Sequence, residues 1–396
     1  MDELTAQLMP ASLKFVFFEQ EMTDILANPT SDYAKRSASK SNYPFVKKLK
    51  QFLQEQNETM LKQQSVTIAD FEFTDEYLQR RFMNYENEPV LHRLELMAED
   101  IIQVLKGKRN GELKLPSKKE IVKRLKKRLQ HSSTLSLYET FMAQFGQDSF
   151  QYKNKRLEFN DVYPYLYCQL FFEGIKSFEL VQYFVLDEMQ DYTPVQYAVL
   201  AKVFACKRTI IGDFSQALLP CETITKEAFL DILSNSEYVE LTTSYRSSYE
   251  ISMYAKQFMR NSTINPIERH GEKPVEIYYN SIDEMLQLIR QALKNSYKTT
   301  AIICKTEADL TIIKQHLHDI KLTVLDGQSM VFETGVILTT IQYAKGLEFD
   351  AVIVPFITNS NYMTTFDQGL LYIATTRAMH HLTMLIDTNH PSALLT

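Results

Sequence analysis

At 396 residues, 45% hydrophobic and 23% charged, the chain is long enough for about two or three domains and has the composition of a soluble globular protein. Its net charge of -6 excludes a basic nucleic-acid coat, so any nucleic-acid surface must be local. Cysteines 168, 206, 221 and 304 form no CxxC and no Cys/His cluster, which excludes a zinc site or disulfide framework and suits a reducing cytoplasm; no signal peptide and no apolar run of about 18 residues is present, so no membrane span is expected.

Residues 1 to about 150 read as mainly helical. Leu13 to Phe18 leaves a short strand open. Phe45 to about Lys62 places Phe45, Leu49, Phe52, Leu53 and Met60 at near-helical spacing. Thr74 to Lys106 continues in helix, interrupted near Pro89. From Lys106 to Arg128 there are eleven Lys or Arg against two Glu. Ile121, Leu125 and Leu129 fall four apart there, giving a basic helix with an apolar stripe. Lys123, Arg124, Lys126 and Lys127 either follow a polyanion, nucleic acid or polymerase, or form a solvated face. No aromatic residues interleave with these charges to stack bases. Leu135 to Phe145 predicts a helix ending at Gly146. Asn160-Asp161 is placed to cap another, Val162 to Phe172, whose aromatic row reads as core.

The chain then changes character. Tyr183-Phe-Val-Leu-Asp-Glu-Met-Gln-Asp191 reads as a strand buried on both faces and followed by an acidic pair, Asp187 and Glu188. Carboxylates at the end of a buried strand are costly unless paired. In an open parallel sheet a divalent metal held with phosphates is the usual partner, at the carboxyl ends of the strands. Thr193-Pro194 caps a helix running to about Phe204. Further strands are expected at 208–212, 238–242, 275–279, 299–304, 335–341, 350–355 and 381–386, with helices between most of them. That alternation predicts an α/β fold with mainly parallel sheets. A change of unit is expected near Ser234-Asn235-Ser236.

Glycine is scarce: there are ten, and none precedes Gly107. No GxxxxGK[ST] phosphate loop occurs anywhere in the sequence. Four further stretches combine strand ends with polar or charged groups. They are Arg208-Thr-Ile-Ile-Gly-Asp-Phe-Ser-Gln216, Leu241-Thr-Thr-Ser-Tyr-Arg-Ser247, Thr339-Thr-Ile-Gln-Tyr-Ala-Lys-Gly-Leu-Glu-Phe-Asp350 and Leu370-Leu-Tyr-Ile-Ala-Thr-Thr-Arg-Ala378.

In this order the stretches resemble superfamily 1 helicases of the UvrD/Rep type. Asp187-Glu-Met-Gln190 is similar to motif II and Gly212-Asp-Phe-Ser-Gln216 to motif III. Ser244-Tyr-Arg-Ser247 is similar to motif IV, Lys345-Gly-Leu-Glu-Phe-Asp350 to motif V and Tyr372-Ile-Ala-Thr-Thr-Arg-Ala378 to motif VI. Asp187-Glu-Met-Gln-Asp-Tyr-Thr-Pro-Val-Gln196, Gly212-Asp-Phe-Ser-Gln-Ala217 and Thr376-Arg-Ala-Met-His380 resemble the HelD branch, near helicase IV. The resemblance implies RecA-like lobes of the P-loop NTPase type, with a helical insertion over 1–150. The rest of the first lobe then lies over 151–234 and the second lobe over 235–396.

The resemblance also implies roles. Asp187 holds Mg²⁺, Glu188 orients and deprotonates the attacking water, and Gln216 senses the γ-phosphate of ATP. Arg246 and Arg377 neutralise charge on the transferred phosphoryl. Tyr245 stacks on the adenine, and Gly346 and Glu348 line the nucleotide cleft. ATP then holds two lobes together until hydrolysis releases them.

The expected activity is ATP hydrolysis coupled to remodelling RNA polymerase bound to DNA or RNA. Two departures bear on it. After Gln216 stands Ala-Leu-Leu-Pro, where UvrD-type proteins carry a stacking aromatic pair, and Gln342 replaces the usual motif V histidine. The phosphate loop, upstream of the insertion in the family, is absent. The chain is therefore expected to be N-terminally incomplete and to need a missing ATPase segment for turnover. The first lobe is then expected to expose a sheet edge or apolar groove. A UvrD-type unwinding helicase and a non-catalytic binding module stand as alternatives.

Overall fold

The computed structural model describes all residues except 1, 29, 109–114, 147, 176, 177, 179, 217–224, 235, 260–264, 296, 327–333 and 396. The chain divides into two units. The first holds Met1–Asp187, Tyr192–Ile211 and Cys221–Ser236; the second holds Glu237–Thr396 with two short loops, Glu188–Asp191 and Gly212–Pro220. Asn235, at the expected change of unit, and Ala217 to Pro220, after Gln216, lie outside the described residues.

Unit 1 is mainly helical. Helix Tyr43–Thr59 starts where the Asn42 side chain accepts from the Phe45 N–H, and Phe45, Val46, Leu49, Phe52 and Leu53 form its buried face. Helices Asp75–Asn84 and Val90–Lys108 flank Pro89, as the sequence predicts. The basic helix spans Lys118–Lys126, with a Ser117/Glu120 capping box and Ile121 and Leu125 buried beneath it. Helix Thr134–Met142 passes through a 3-10 turn to Gly146, whose φ of 102° suits glycine. Helix Phe159–Phe172 is buried nearly all round, including Tyr163, Tyr165 and Tyr167, so its aromatics are core.

That helix corrects one expectation. Glu158 is the N-cap residue, and Asn160 and Asp161 lie inside the first turn. Their side chains turn inward: Lys40 Nζ lies 2.9 Å from Asn160 Oδ1 and 2.5 Å from Asp161 Oδ1, and the Tyr138 hydroxyl donates to Asp161 at 2.5 Å. Asn160 also donates to Glu21 at 3.3 Å.

Burial pushes the Glu21 carboxyl up to about 7, against opposing hydrogen bonds from Ser37 and Asn160. The folded state therefore binds a proton that the unfolded state releases near 4.5. The contribution to stability is complete below that value and is lost as pH rises through about 7, a change of up to about 3 kcal/mol. Urea unfolding of Glu21→Gln should lack this fall between pH 5 and pH 8, while the parent chain shows it.

Among the described residues, six short strands belong to unit 1: β1 Lys14–Phe15, β2 Val66–Ile68, β3 Phe71–Phe73, β4 Arg156–Leu157, β5 Tyr183–Leu186 and β6 Lys207–Ile210. β5 and β6 pair in parallel, Leu186 opposite Ile210. The expectation that β5 is buried on both faces is corrected. Phe184 stacks on Phe204 at 4.7 Å and Leu186 is buried, but Tyr183 and Val185 are 56% and 59% exposed. The covered face of this strand is the one that carries Phe184 and Leu186. Helix Pro194–Val203 follows, with the expected Thr193 cap closed into a capping box by Gln196.

Unit 2 contains β7 Thr243–Ser244, β8 Asn265–Pro266, β9 Val275–Tyr279, β10 Thr299–Cys304, β11 Leu322–Leu325, β12 Gly335–Thr340, β13 Phe349–Ile357 and β14 Ala378–Asp387. Six of them form one sheet in the order β11-β12-β10-β13-β14-β9, every pair parallel. β10 is buried at every residue, as a central strand covered by helices on both faces requires. Ile302, Leu338 and Ile353 pack with Met285, Ile289, Leu310 and Ile313 of helices Ile282–Ala292 and Glu307–His316. No strand forms at 238–242, another correction: Val239 and Leu241 are exposed, and pairing begins only at the Thr242 carbonyl, which accepts from the Asn265 N–H at 2.6 Å beside β7. Among the described residues no helix is long and apolar enough to cross a membrane.

Candidate active site

The loops entering β13 and β14 meet the two short loops that cluster with unit 2. Strand β12 ends in a single helical turn, Ile341–Ala344, and the chain then turns through Gly346 at φ 79°. This delivers Lys345 and Glu348 just before β13 begins. Helix Thr365–Thr375 is capped by Thr364 and Asp367, and its exit delivers Arg377 just before β14. The Phe349 N–H donates to the Arg377 carbonyl at 3.0 Å, tying the two deliveries together. The cluster therefore lies at the amino ends of β13 and β14. Asp187, in contrast, stands exposed at the carboxyl end of β5, the position expected for it.

Arg377 is the buried centre, 1% exposed. Its Nη2 donates to Gln216 Oε1 at 2.7 Å and to Thr376 Oγ1 at 3.2 Å. Its Nε donates to the Ile373 carbonyl at 3.1 Å, and Nη1 to that of Leu347 at 3.4 Å. Burial, helped by repulsion from Arg246, brings its pKa down to about 10; Glu188, Tyr372 and Glu348 oppose the shift. Gln216 passes the connection on, donating to Asp213 at 2.9 Å.

Gln190 locks the two short loops together. Its Nε2 donates to Glu188 Oε2 at 2.5 Å, and its Oε1 accepts from the Asp213 N–H at 2.9 Å. Gly212 permits this approach, because a Cβ there would stand 2.6 Å from the Met189 nitrogen. Glu188 takes φ 52°, uncommon for a glutamate and the kind of strain that collects at functional sites. A Cβ added at Gly346 would lie 3.7 Å from Glu188 Oε1, so the motif V turn packs against the acidic loop.

Lys345 is a residue whose role the sequence reading missed. Its Nζ lies 2.5 Å from Asp191 Oδ1 and 3.6 Å from Glu188 Oε2, and its side chain is buried. The signal in the sequence was its place at the head of the motif, directly before Gly346. Arg246 forms a half-exposed ion pair with Glu348, Nε to Oε1 2.5 Å. The loop carrying it is anchored by the Ser247 hydroxyl, which donates to the Ala378 carbonyl at 2.6 Å. Tyr245 beside it is 68% exposed, a free aromatic face.

Of the residues singled out in the sequence, Glu188, Gln216, Arg246, Gly346, Glu348 and Arg377 thus fall in one cluster of unit 2. Lys123, Arg124, Lys126 and Lys127 belong to the helical part of unit 1. There Arg124 donates to the Thr67 carbonyl at 2.8 Å.

Residues 335–385, from β12 into β14, match the UvrD-like helicase C-terminal domain family. A probable DNA helicase of Mycoplasma pneumoniae is 26% identical over 233 residues, covering 52% of this chain and 43% of the relative. Residues 335–385 are thus related to the UvrD-like helicase C-terminal domains. The chain spans less than half the length of that curated helicase. A solved structure, the C-terminal domain of a possible DNA helicase from Lactobacillus plantarum WCFS1, is 29% identical, with a TM-score of 0.34, and covers 39% of this chain and 92% of that one. The region matching the helicase family contains Lys345, Gly346, Glu348 and Arg377, four residues of the cluster described above.

Proposed function

We propose that the chain is the C-terminal part of an ATP-driven superfamily 1 motor, built from two RecA-like lobes and a helical insertion over 1–150, that acts on DNA or RNA. The observation that carries the reading is the Arg377–Gln216 hydrogen bond, set beside a Glu188 held by Gln190 and faced by Lys345. An arginine, an amide and a carboxylate brought together in this way are the groups that phosphoryl transfer to water needs.

Each residue then has a task. Glu188 orients the attacking water and accepts its proton. Arg377 and Arg246 face the charge that develops on the transferred phosphoryl. Gln216, hydrogen-bonded to Arg377, reports the state of the terminal phosphate. Tyr245 offers its exposed ring to the adenine. Among the described residues no three acidic, histidine or cysteine side chains gather to hold a metal alone. Mg²⁺ takes one or two carboxylates and completes its shell with substrate phosphates and water. Asp187 is the residue to hold it, and the ion supplies charge neutralisation of the phosphates.

The sequence contains no phosphate loop, so hydrolysis requires that loop from a further segment. The HelD-like wording favours RNA polymerase bound to nucleic acid as the object of the motor. The name of the Mycoplasma relative favours a second reading, a DNA-unwinding helicase. The missing loop favours a third, a non-catalytic binding module.

Calorimetry with Mg-ATP separates these. The chain supplemented with a phosphate-loop segment should bind ATP, and the Asp187→Ala/Arg377→Ala variant should not. Failure of the supplemented chain to bind overturns the motor reading and leaves the binding module.

A further inference from the structure

A second charged site lies within unit 1, far in sequence from the motifs. Lys153-Asn-Lys-Arg156 forms a tight turn: Lys153 bridges to Arg156, the Arg156 N–H donates to the Lys153 carbonyl at 3.0 Å, and φ is 54° at Asn154 and 58° at Lys155. Two successive positive φ values define the type I′ turn, which favours glycine second; a lysine there is strained. Buried Leu157 anchors the turn, and β1 pins it, Lys14 N–H donating to the Lys155 carbonyl at 3.0 Å.

Parallel pairing of β1 and β4 places Lys14 opposite Arg156. Neighbouring strands lie about 4.8 Å apart, so two like charges are held side by side, an arrangement that destabilises a sheet. Lys14, Lys153, Lys155 and Arg156 are all exposed, and among the described residues none has an acidic partner within an ion-pair distance. The turn borders an open cleft of about 690 Å³. Of the other charges lining it, Lys35 is taken by Asp32 and Arg36 by Glu158, which leaves Asp148 against the turn's cations. This concentration of positive charge stands on a chain of net charge -6.

Aromatic residues interleave here, as they do not on the basic helix. Phe17 follows β1 three residues after Lys14 and is 51% exposed, with its ring 5.1 Å from that of Phe15. Tyr152, stacked on Phe150 at 6.1 Å, directly precedes Lys153.

We propose that the Lys153–Arg156 turn with Lys14 and Phe17 is a binding site for single-stranded nucleic acid, the cations taking successive phosphates and Phe17 stacking a base. Exposed cations on a pinned turn, with an exposed aromatic ring three residues along the chain from Lys14, match a strand that offers both charge and π faces. An acidic protein surface offers only the charge. The inference rests on the nucleic-acid reading above for its choice of ligand. It is tested without nucleotide, so its failure and the failure of the ATP reading are distinguishable.

Fluorescence anisotropy of a labelled oligothymidylate, titrated with the full chain over a range of salt, is the test. Reversing three charges, Lys153→Glu/Lys155→Glu/Arg156→Glu, should weaken binding at least tenfold. It should also flatten the slope of log K against log salt by about 2, three phosphate contacts at about 0.7 each. Phe17→Ala should weaken binding about tenfold and leave the slope unchanged. The same reversals at Lys123, Lys126 and Lys127 should change neither. All these side chains are exposed, and circular dichroism checks that each variant is folded. Unchanged affinity and slope in the triple variant overturns the proposal. So does polyglutamate competing as well as the oligonucleotide with Phe17→Ala silent, which assigns the patch to acidic proteins.

Discussion

Lys40→Met should lower the stability of the chain by about 3–5 kcal/mol, the cost of removing one partner from a buried ion pair. Against the roughly 5–15 kcal/mol that holds a domain folded, this is a large share. Lys40 and Asp161 are 1% and 0% exposed, 2.5 Å apart, and lie in the helical part of unit 1. Without the ammonium, Asp161 keeps one strong donor, the Tyr138 hydroxyl, while its Oδ2 already has no hydrogen-bond partner among the described residues. Burial already raises the Asp161 carboxyl above its ordinary value despite Lys40, and the variant should raise it further. The carboxyl of the folded variant then takes up a proton more readily than that of the unfolded chain, so the loss should be smaller at pH 5 than at pH 8. Lys40→Met/Asp161→Leu should recover most of the stability, because an apolar pair of similar volume avoids burying either charge. Urea unfolding followed by circular dichroism measures all three. A loss under about 1 kcal/mol in the single variant would show that water reaches the pair.

This cluster also shows where sequence reading stops. Asn160-Asp161 has the composition of a helix cap, but the cap position falls at Glu158. What turns both side chains inward is Lys40, 121 residues earlier than Asp161, and pairing at that range leaves no local signal. The same holds in unit 2. Lys345 and Asp191 are 154 residues apart, and each is visible only as a member of its own motif. Strands with both faces covered were legible, because β10, β12 and β13 carry continuous apolar runs that only a sandwiched position accommodates. The run at β5 has the same composition and a different fate. Hydrophobicity records what a strand is suited to bury, and Tyr183 and Val185 remain exposed where the neighbouring surface is not supplied. Residues 238–242 fail for a related reason: Val239 and Leu241 alternate with Glu240 and Thr242 as in a strand, yet both apolar side chains stay exposed. The site was legible at the level of its motifs, and its hydrogen-bond connections were not.

Arg377→Ala should reduce ATP turnover by about 10³–10⁵-fold, the range attached to arginines that meet a transferring phosphoryl group. The measurement belongs in whichever preparation hydrolyses ATP, the chain alone or supplemented with a phosphate-loop segment. Arg377 is also buried and bonded to the Ile373 and Leu347 carbonyls, so a fall in rate could follow from a loosened loop. Two further measurements separate these causes. Arg377→Lys keeps the positive charge but loses the fork of donors that reaches Gln216 and the backbone together; it should retain stability better than alanine and remain at least 10²-fold slow. Gln216→Ala supplies the other. If Gln216 works through Arg377, across the 2.7 Å hydrogen bond that joins them, the two alanine substitutions should be strongly non-additive in kcat, with a coupling of about 1–3 kcal/mol. Additive effects would mean that the amide and the guanidinium act separately. Equal rates for Arg377→Ala and the parent, with the fold intact, would remove Arg377 from the chemistry and leave it as the pin that joins the Gln216 loop to β14.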